Sequence, residues 1–130
     1  GLAFFDSYIK LGALLHIMLP ERANENDPNL FKYADTGIRE TLRKMSAFGM
    51  VKSRTTVRIA GGAKMFEISG NAGFGNIGQR NIDSVKKILK EEGIKLTAED
   101  TGANYARTMS LNTETGEVQI RTYGREIVRI

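Results

Sequence analysis

Hydrophobic residues follow one another almost without a break over residues 12–20, and this run predicts a buried strand. We expect the strand to span residues 11–19, because Pro20 interrupts the pattern. Residues 1–5 are also apolar and predict the end of an earlier strand. Asp6 and Ser7 then predict the turn that joins the two strands.

Two other segments repeat their hydrophobic residues at helical spacing, which predicts two amphipathic helices. The first is expected over residues 33–48, and residues 77–81 lead into the second, which ends at about residue 92. Gly49 and Gly93 are placed to end these helices. The expected buried faces are Ala34, Ile38, Leu42, Met45 and Phe48 in the first helix, and Ile82, Val85, Ile88 and Leu89 in the second.

The remaining apolar segments are short and predict strands over residues 51–59, 94–100, 105–112, 117–122 and 126–130. The segments 105–112 and 117–122 are expected to form a hairpin across residues 113–116, where Gly116 suits the turn. Residues 21–29 predict a polar surface loop, and residues 69–76 predict a mobile, glycine-rich one. We therefore expect a single-domain, layered α/β sandwich with a mixed or antiparallel sheet and two main helices, rather than a purely parallel sheet.

The composition narrows the chemistry. The net charge is +4, but most basic residues alternate with acids, so an acidic protein partner fits better than a nucleic acid. The chain has no cysteine and one histidine, which excludes a thiol nucleophile within these residues and disfavours a zinc site. We expect no cofactor and no membrane insertion, and the absence of cysteine fits a cytoplasmic protein.

His16, the only histidine, lies in the middle of the first long apolar run. Its imidazole is the one side chain whose ordinary pKa is close to neutrality, so it suits proton transfer. The alternative is a core histidine whose ring nitrogens have found partners, and this stretch alone favours that alternative.

Five short motifs occur in order along the chain, and together they resemble the CheD family of bacterial chemotaxis. They are HIMLP at 16–20, KYAD at 32–35, AGGAKMF at 60–66, NIGQRN at 76–81 and AEDTG at 98–102, followed by Arg107 and TG at 115–116. The resemblance covers essentially the whole chain. Ala103 stands where the family pattern has a second glycine.

The resemblance implies a chemoreceptor glutamine deamidase that converts receptor glutamines to glutamates and releases ammonia, in some members with action on methyl esters. It implies an α/β sandwich, a cysteine–histidine site in which His16 is the catalytic histidine, and a CheC-type phosphatase as partner. The family's cysteine belongs about two residues before Gly1. We therefore expect that an N-terminal segment is missing, and the alternative is a relative that only binds the phosphatase or a receptor helix.

Other residues have a functional and a structural interpretation each. Gly61 and Gly62 either admit a substrate helix or form a turn, and the missing Lys-Ser/Thr argues against a nucleotide site. Arg80 either pairs with acidic groups near the target glutamine or forms an ion pair at a helix start. Asn81 either binds the carboxamide or caps the helix. We also expect Phe66 and Phe74 to form an apolar partner contact, and we give Ser7 little weight as a nucleophile.

Overall fold

The protein is described here by a computed structural model, which covers residues 1–65 and 76–130. Phe66, Phe74 and all but the last residue of the predicted glycine-rich loop lie outside the described residues. The described part contains two sheets and two α-helices, which confirms the expected mixed α/β fold. No helix in these two ranges is long and apolar enough to cross a bilayer.

A four-stranded mixed sheet forms the centre, in the order β2-β1-β3-β4. Its strands are β1 (Leu2–Asp6), β2 (Leu11–Leu15), β3 (Thr55–Gly61) and β4 (Lys95–Thr101). Strand β1 is antiparallel to both of its neighbours, whereas β3 and β4 are parallel. All five residues of β1 are buried, because this inner strand is covered on both faces, and its sequence is accordingly apolar almost throughout.

Two helices, α1 (Ala34–Ala47) and α2 (Ile77–Glu91), cover one face of this sheet. The predicted faces are buried with one exception, Phe48, whose side chain is 76% exposed. Phe48 follows the last helical residue, so it lies outside the packed stripe. Gly49 and Gly93 have positive φ angles, as expected of residues that end helices.

A three-stranded antiparallel sheet covers the other face. It consists of β5 (Thr108–Leu111), β6 (Val118–Arg121) and β7 (Val128–Arg129). Alternate residues of β1 supply the two cores, since side chains of a strand point to opposite faces. Leu2 and Phe4 pack with the helices, and Ala3 packs with Val118 and Ile120 of the small sheet.

The prediction of one buried strand over residues 11–19 is wrong in two respects. Strand β2 ends at Leu15, and it lies at the edge of the sheet, where Leu14 is 57% exposed. After Leu15 the chain leaves the ladder, and Leu19 instead forms an isolated bridge with Tyr33. His16 therefore follows the strand rather than lying within it.

Candidate functional site

A cleft of about 560 Å³ opens at one end of the central sheet. The start of β1, the ends of β2 and β3, the first turns of α2 and the segment before β5 all border it. These segments meet because β1 runs antiparallel to both β2 and β3, so that its first residue is beside their last ones. Gly1 and Ala60 exchange two backbone hydrogen bonds there, of 2.8 and 3.0 Å.

His16 borders this cleft and is exposed, which excludes the interpretation of a buried core histidine. Backbone contacts hold the segment that follows it. The amide nitrogens of Met18 and Leu19 both donate to the carbonyl of Lys32, at 2.8 and 3.0 Å. The imidazole therefore projects from a fixed backbone into a space that a ligand can reach.

Helix α2 holds the same segment from the other side. The Asn81 Nδ2 donates to the Met18 carbonyl at 3.1 Å, and the Ser84 hydroxyl donates to the Pro20 carbonyl at 2.6 Å. Asn81 and Ser84 are three residues apart, so they share one face of the helix. The Asn81 Oδ1 is buried and has no hydrogen-bond partner within residues 1–65 and 76–130.

The capping interpretation of Asn81 is wrong. Helix α2 begins at Ile77, earlier than predicted. Asn81 is therefore the fifth residue of the helix and lies inside it, whereas a capping residue precedes the first helical residue. The prediction placed the start too late because Gly78 has low helix propensity. A side chain at Gly78 would overlap the carbonyl oxygen of Gly62, so a glycine there lets α2 approach the cleft. Sequence reasoning missed this role.

Both glycines of the predicted pair border the cleft, and both have positive φ angles, 114° at Gly61 and 67° at Gly62. Glycine therefore suits the backbone conformation at each of them. Their surroundings differ. A Cβ atom at Gly62 would lie 2.5 Å from the Ile82 side chain, whereas one at Gly61 would have no neighbour closer than the Gly1 nitrogen at 3.8 Å.

Two candidate residues lie away from the cleft. Arg80 is exposed, it does not line the cleft, and within the described part of the chain it makes no ion pair. Ser7 lies in the turn at the opposite end of β1, six residues and roughly 20 Å along the strand from Gly1. It therefore cannot act together with His16.

Arg107 lies in the cleft wall, and sequence reasoning gave it no role. Its side chain is only 3% exposed, and it pairs with Asp100 at 3.2 Å and donates to the Gly102 carbonyl at 3.0 Å. The Tyr105 ring lies 4.4 Å from the guanidinium carbon. The partners of Arg107 come from β4 and the loop behind it, and no local pattern in the sequence reveals such a pairing.

Positive charge dominates this lining. Its titratable side chains within the described residues are those of His16, Tyr105 and Arg107, and no carboxylate lines the cleft there. The described cleft thus combines an imidazole, an unpaired amide oxygen and a buried cation, which suit proton transfer and the binding of a polar group that becomes negative.

Comparison with known proteins gives one family. The family model described as "CheD chemotactic sensory transduction" matches residues 18–122. A protein of Clostridium novyi named "Probable chemoreceptor glutamine deamidase CheD" is 48% identical over 98% of this chain and 79% of its own length. A Clostridium botulinum protein of that name is 44% identical over 100% of this chain and 81% of its own.

A relative from Thermotoga maritima, named "Chemoreceptor glutamine deamidase CheD", is 45% identical over 92% of this chain and 73% of its own length. Similarity of this extent over nearly the whole chain identifies the family. It also means that the motifs named above lie within a sequence whose full length resembles these relatives, rather than occurring alone.

Proposed function

The chain belongs to the CheD family of chemotaxis proteins, and from that premise we propose that it deamidates glutamine side chains of chemoreceptors, with His16 as the general base. The observation that carries the proposal is the exposed imidazole of His16 in a cleft that is also lined by Asn81, whose Oδ1 has no partner among the described residues. The names of the relatives specify the same substrate and reaction.

We infer that the nucleophile is a cysteine in residues that precede Gly1. The register of β1 and β2 supports this inference. Leu2 pairs with Leu15, the residue before His16, and Gly1 and His16 both line the cleft, so residues that precede Gly1 start from the cleft that His16 borders. An amide carbonyl is a weak electrophile, and a thiolate is the strongest nucleophile among ordinary protein side chains.

The reaction then proceeds in two steps. His16 takes the thiol proton, the sulfur bonds to the carboxamide carbon, and the carbon–nitrogen bond breaks as the nitrogen takes that proton and leaves as ammonia. His16 next takes a proton from water, whose oxygen bonds to the thioester carbon while the carbon–sulfur bond breaks. Glutamate is released, and the imidazolium returns the proton to the thiolate.

Asn81 suits recognition of the carboxamide. Its Nδ2 already donates to the Met18 carbonyl, so the free Oδ1 presents an acceptor. A carboxamide NH₂ donates to an acceptor, whereas a carboxylate cannot. We therefore propose that Asn81 distinguishes the glutamine substrate from the glutamate product.

The glycines and Arg80 complete the proposed substrate site. Gly61 has open space beside its Cα, which lets a receptor helix approach the cleft, whereas the absence of a side chain at Gly62 makes room for Ile82 of α2 at the cleft wall. Arg80 is exposed next to Asn81 on α2, where its charge is available to acidic receptor residues. We propose a cytoplasmic location, with receptor cytoplasmic helices as substrate and a CheC-type phosphatase as partner, on the strength of the family.

The test is mass spectrometry of a receptor cytoplasmic fragment incubated with the full encoded protein in heavy-oxygen water. The proposal predicts glutamates that each carry one heavy oxygen, at specific former glutamine positions. Ser7→Ala serves as a matched control and should convert them at the wild-type rate, because Ser7 is far from the cleft. Unchanged glutamines with an intact, folded protein would contradict the proposal.

The alternative function is that of a binding module of the CheD family. Such a module would bind the phosphatase or a receptor helix without chemistry. Phosphatase binding by a full encoded protein that converts no glutamine would identify it.

A further inference from the structure

Arg125 lies beside the cleft without lining it. Its guanidinium carbon is 4.1 Å from the centre of the Tyr105 ring, and Tyr105 is part of the cleft lining. The backbone holds Arg125 in a turn after β6, where its amide nitrogen donates to the Thr122 carbonyl at 3.1 Å. An aromatic face attracts a guanidinium and favours those orientations of the long side chain that keep it over the ring. Arg125 is therefore a cation with a preferred position at the margin of the cleft.

A second cation shares the same ring, and the two cations differ in their counterions. The Arg107 guanidinium also lies over Tyr105, but its side chain is buried and paired with Asp100 at 3.2 Å. Arg125 is exposed, and within the described part of the chain it forms no ion pair, even with the adjacent Glu126. Because like charges repel each other, the two arginines are stabilised together when an anion approaches Arg125.

The surroundings of Arg125 leave this anion to a ligand. Among the described residues no carboxylate lines the cleft, and Asp100 is already paired with Arg107. The cleft, of about 560 Å³, is large enough to hold more than one side chain of a bound segment. A ligand that fills the cleft and carries a carboxylate at its margin therefore finds a counterion in Arg125.

We propose that Arg125 determines specificity for receptor helices that carry a carboxylate close to the target glutamine. The inference rests on the proposed function, which brings such a helix to the cleft. Residues three or four positions apart lie on one face of a helix, so a carboxylate at this spacing points to the same side as the glutamine. Its two oxygens match the paired N–H groups of a guanidinium. Arg125 binds this carboxylate while the glutamine side chain enters the cleft.

The experiment measures kcat/KM of the full encoded protein at each glutamine of a receptor cytoplasmic fragment by mass spectrometry. At glutamines with an acidic residue three or four positions away, Arg125→Glu should lower kcat/KM by about 10-fold. The loss should lie in KM, because Arg125 binds a part of the substrate that does not react. Lys87→Glu is the matched control. It makes the same change of net charge at an exposed position of α2 that does not line the cleft, and it should keep the wild-type value.

An exchange of charge between enzyme and substrate separates recognition from structure. In a second fragment, the acidic residue near a converted glutamine is replaced by lysine. The wild type should convert that glutamine about 10-fold less efficiently, and Arg125→Glu should restore most of the loss, because the two charges are exchanged. A structural role of Arg125 predicts instead that Arg125→Glu is impaired on both fragments. If Arg125→Glu does not fold, Arg125→Gln should lose the preference of the wild type for the acidic fragment over the lysine fragment.

A folded Arg125→Glu with the wild-type kcat/KM on the acidic fragment, or with the same loss on both fragments, would overturn the inference alone. A wild type that converts only glutamines without an acidic neighbour would do the same and leave the proposed function intact. A wild type that converts no glutamine in either fragment would overturn the proposed function and this inference together.

Discussion

The buried polar groups at the two ends of β1 differ in how completely they are hydrogen-bonded. At one end, Asp6 is completely buried, and both of its carboxylate oxygens have hydrogen-bond partners. It accepts hydrogen bonds from the backbone nitrogens of Tyr8 at 3.1 Å and Val51 at 3.0 Å, and it forms an ion pair with Arg54 at 3.1 Å. These contacts connect β1 to the turn after it and to the segment before β3, and they serve the fold.

At the other end, the cleft leaves polar atoms without partners. The described residues contain three buried side-chain atoms of this kind, and two of them, Asn81 Oδ1 and Arg107 Nε, belong to residues of the cleft lining. His16 is exposed and borders the same cleft. The third, Arg22 Nε, lies outside the cleft lining, and the two in the lining are placed where a substrate can supply the partners.

The largest effect on stability should come from the end of β1 at which Asp6 is buried. Asp6→Ala leaves the Tyr8 and Val51 nitrogens without an acceptor and Arg54 without its counterion, so it should reduce the free energy of unfolding by about 3 kcal/mol. Urea unfolding at neutral pH measures this. His16→Ala should change the same quantity by less than about 0.5 kcal/mol, because the side chain is exposed. Equal losses in the two variants would contradict the contrast.

The next effect concerns activity at the other end of β1, where the cleft lies. Asn81→Ala removes the free acceptor, and we expect it to reduce kcat/KM for receptor deamidation by about 100-fold. It also removes the hydrogen bond to Met18, so Ser84→Ala is the matched control, because it removes the neighbouring bond to Pro20 and leaves the acceptor. An equal loss in Ser84→Ala would assign the effect to the position of the backbone instead.

The stability that Asp6 contributes should depend on pH. Burial alone would raise the pKa of Asp6, but hydrogen bonds from Arg54, Val51 and Tyr8 together lower it below its ordinary value. A depressed folded pKa adds stability above the unfolded value of about 4, and that stability is lost as the pH falls further. Urea unfolding from pH 6 to pH 3 measures the loss, and Asp6→Asn should show a smaller one. An identical pH dependence would be evidence against this role.

The smallest effect is expected at Ala103, which has a φ angle of 58° in the loop after β4. A residue with a Cβ is strained in this region and glycine is not, so Ala103→Gly should raise stability by about 0.5 kcal/mol after its entropy cost. Ala106→Gly is the control in the same loop, where φ is not positive and only the entropy cost applies. Thermal unfolding should show opposite shifts for the two variants.

The buried faces of the helices could be predicted well, because their apolar residues repeat at helical spacing and that side of each helix packs against the sheet. Ala34, Ile38, Leu42 and Met45 are all buried, and the hairpin with Gly116 forms where its turn residues indicated. The hairpins argued against a purely parallel sheet, and the central sheet is mixed. In these parts, local pattern and tertiary structure agree.

The site was harder to predict, because its features depend on contacts between distant parts of the chain. An apolar run does not distinguish an inner strand from an edge strand, so His16 was expected within β2 and instead follows it, exposed. Arg107 meets Asp100 and joins the cleft wall only after the chain has folded. The resemblance to a family gave His16 a role, whereas it included Arg107 without giving it one.

The most direct test of the account compares the His16→Ala variant with the wild type of the full encoded protein in one assay. Mass spectrometry follows glutamine-to-glutamate conversion in a receptor cytoplasmic fragment, and urea unfolding of the same samples verifies the fold. The account predicts that His16→Ala unfolds at the wild-type urea concentration and converts no glutamine above background. Conversion at the wild-type rate by a folded His16→Ala protein would contradict it.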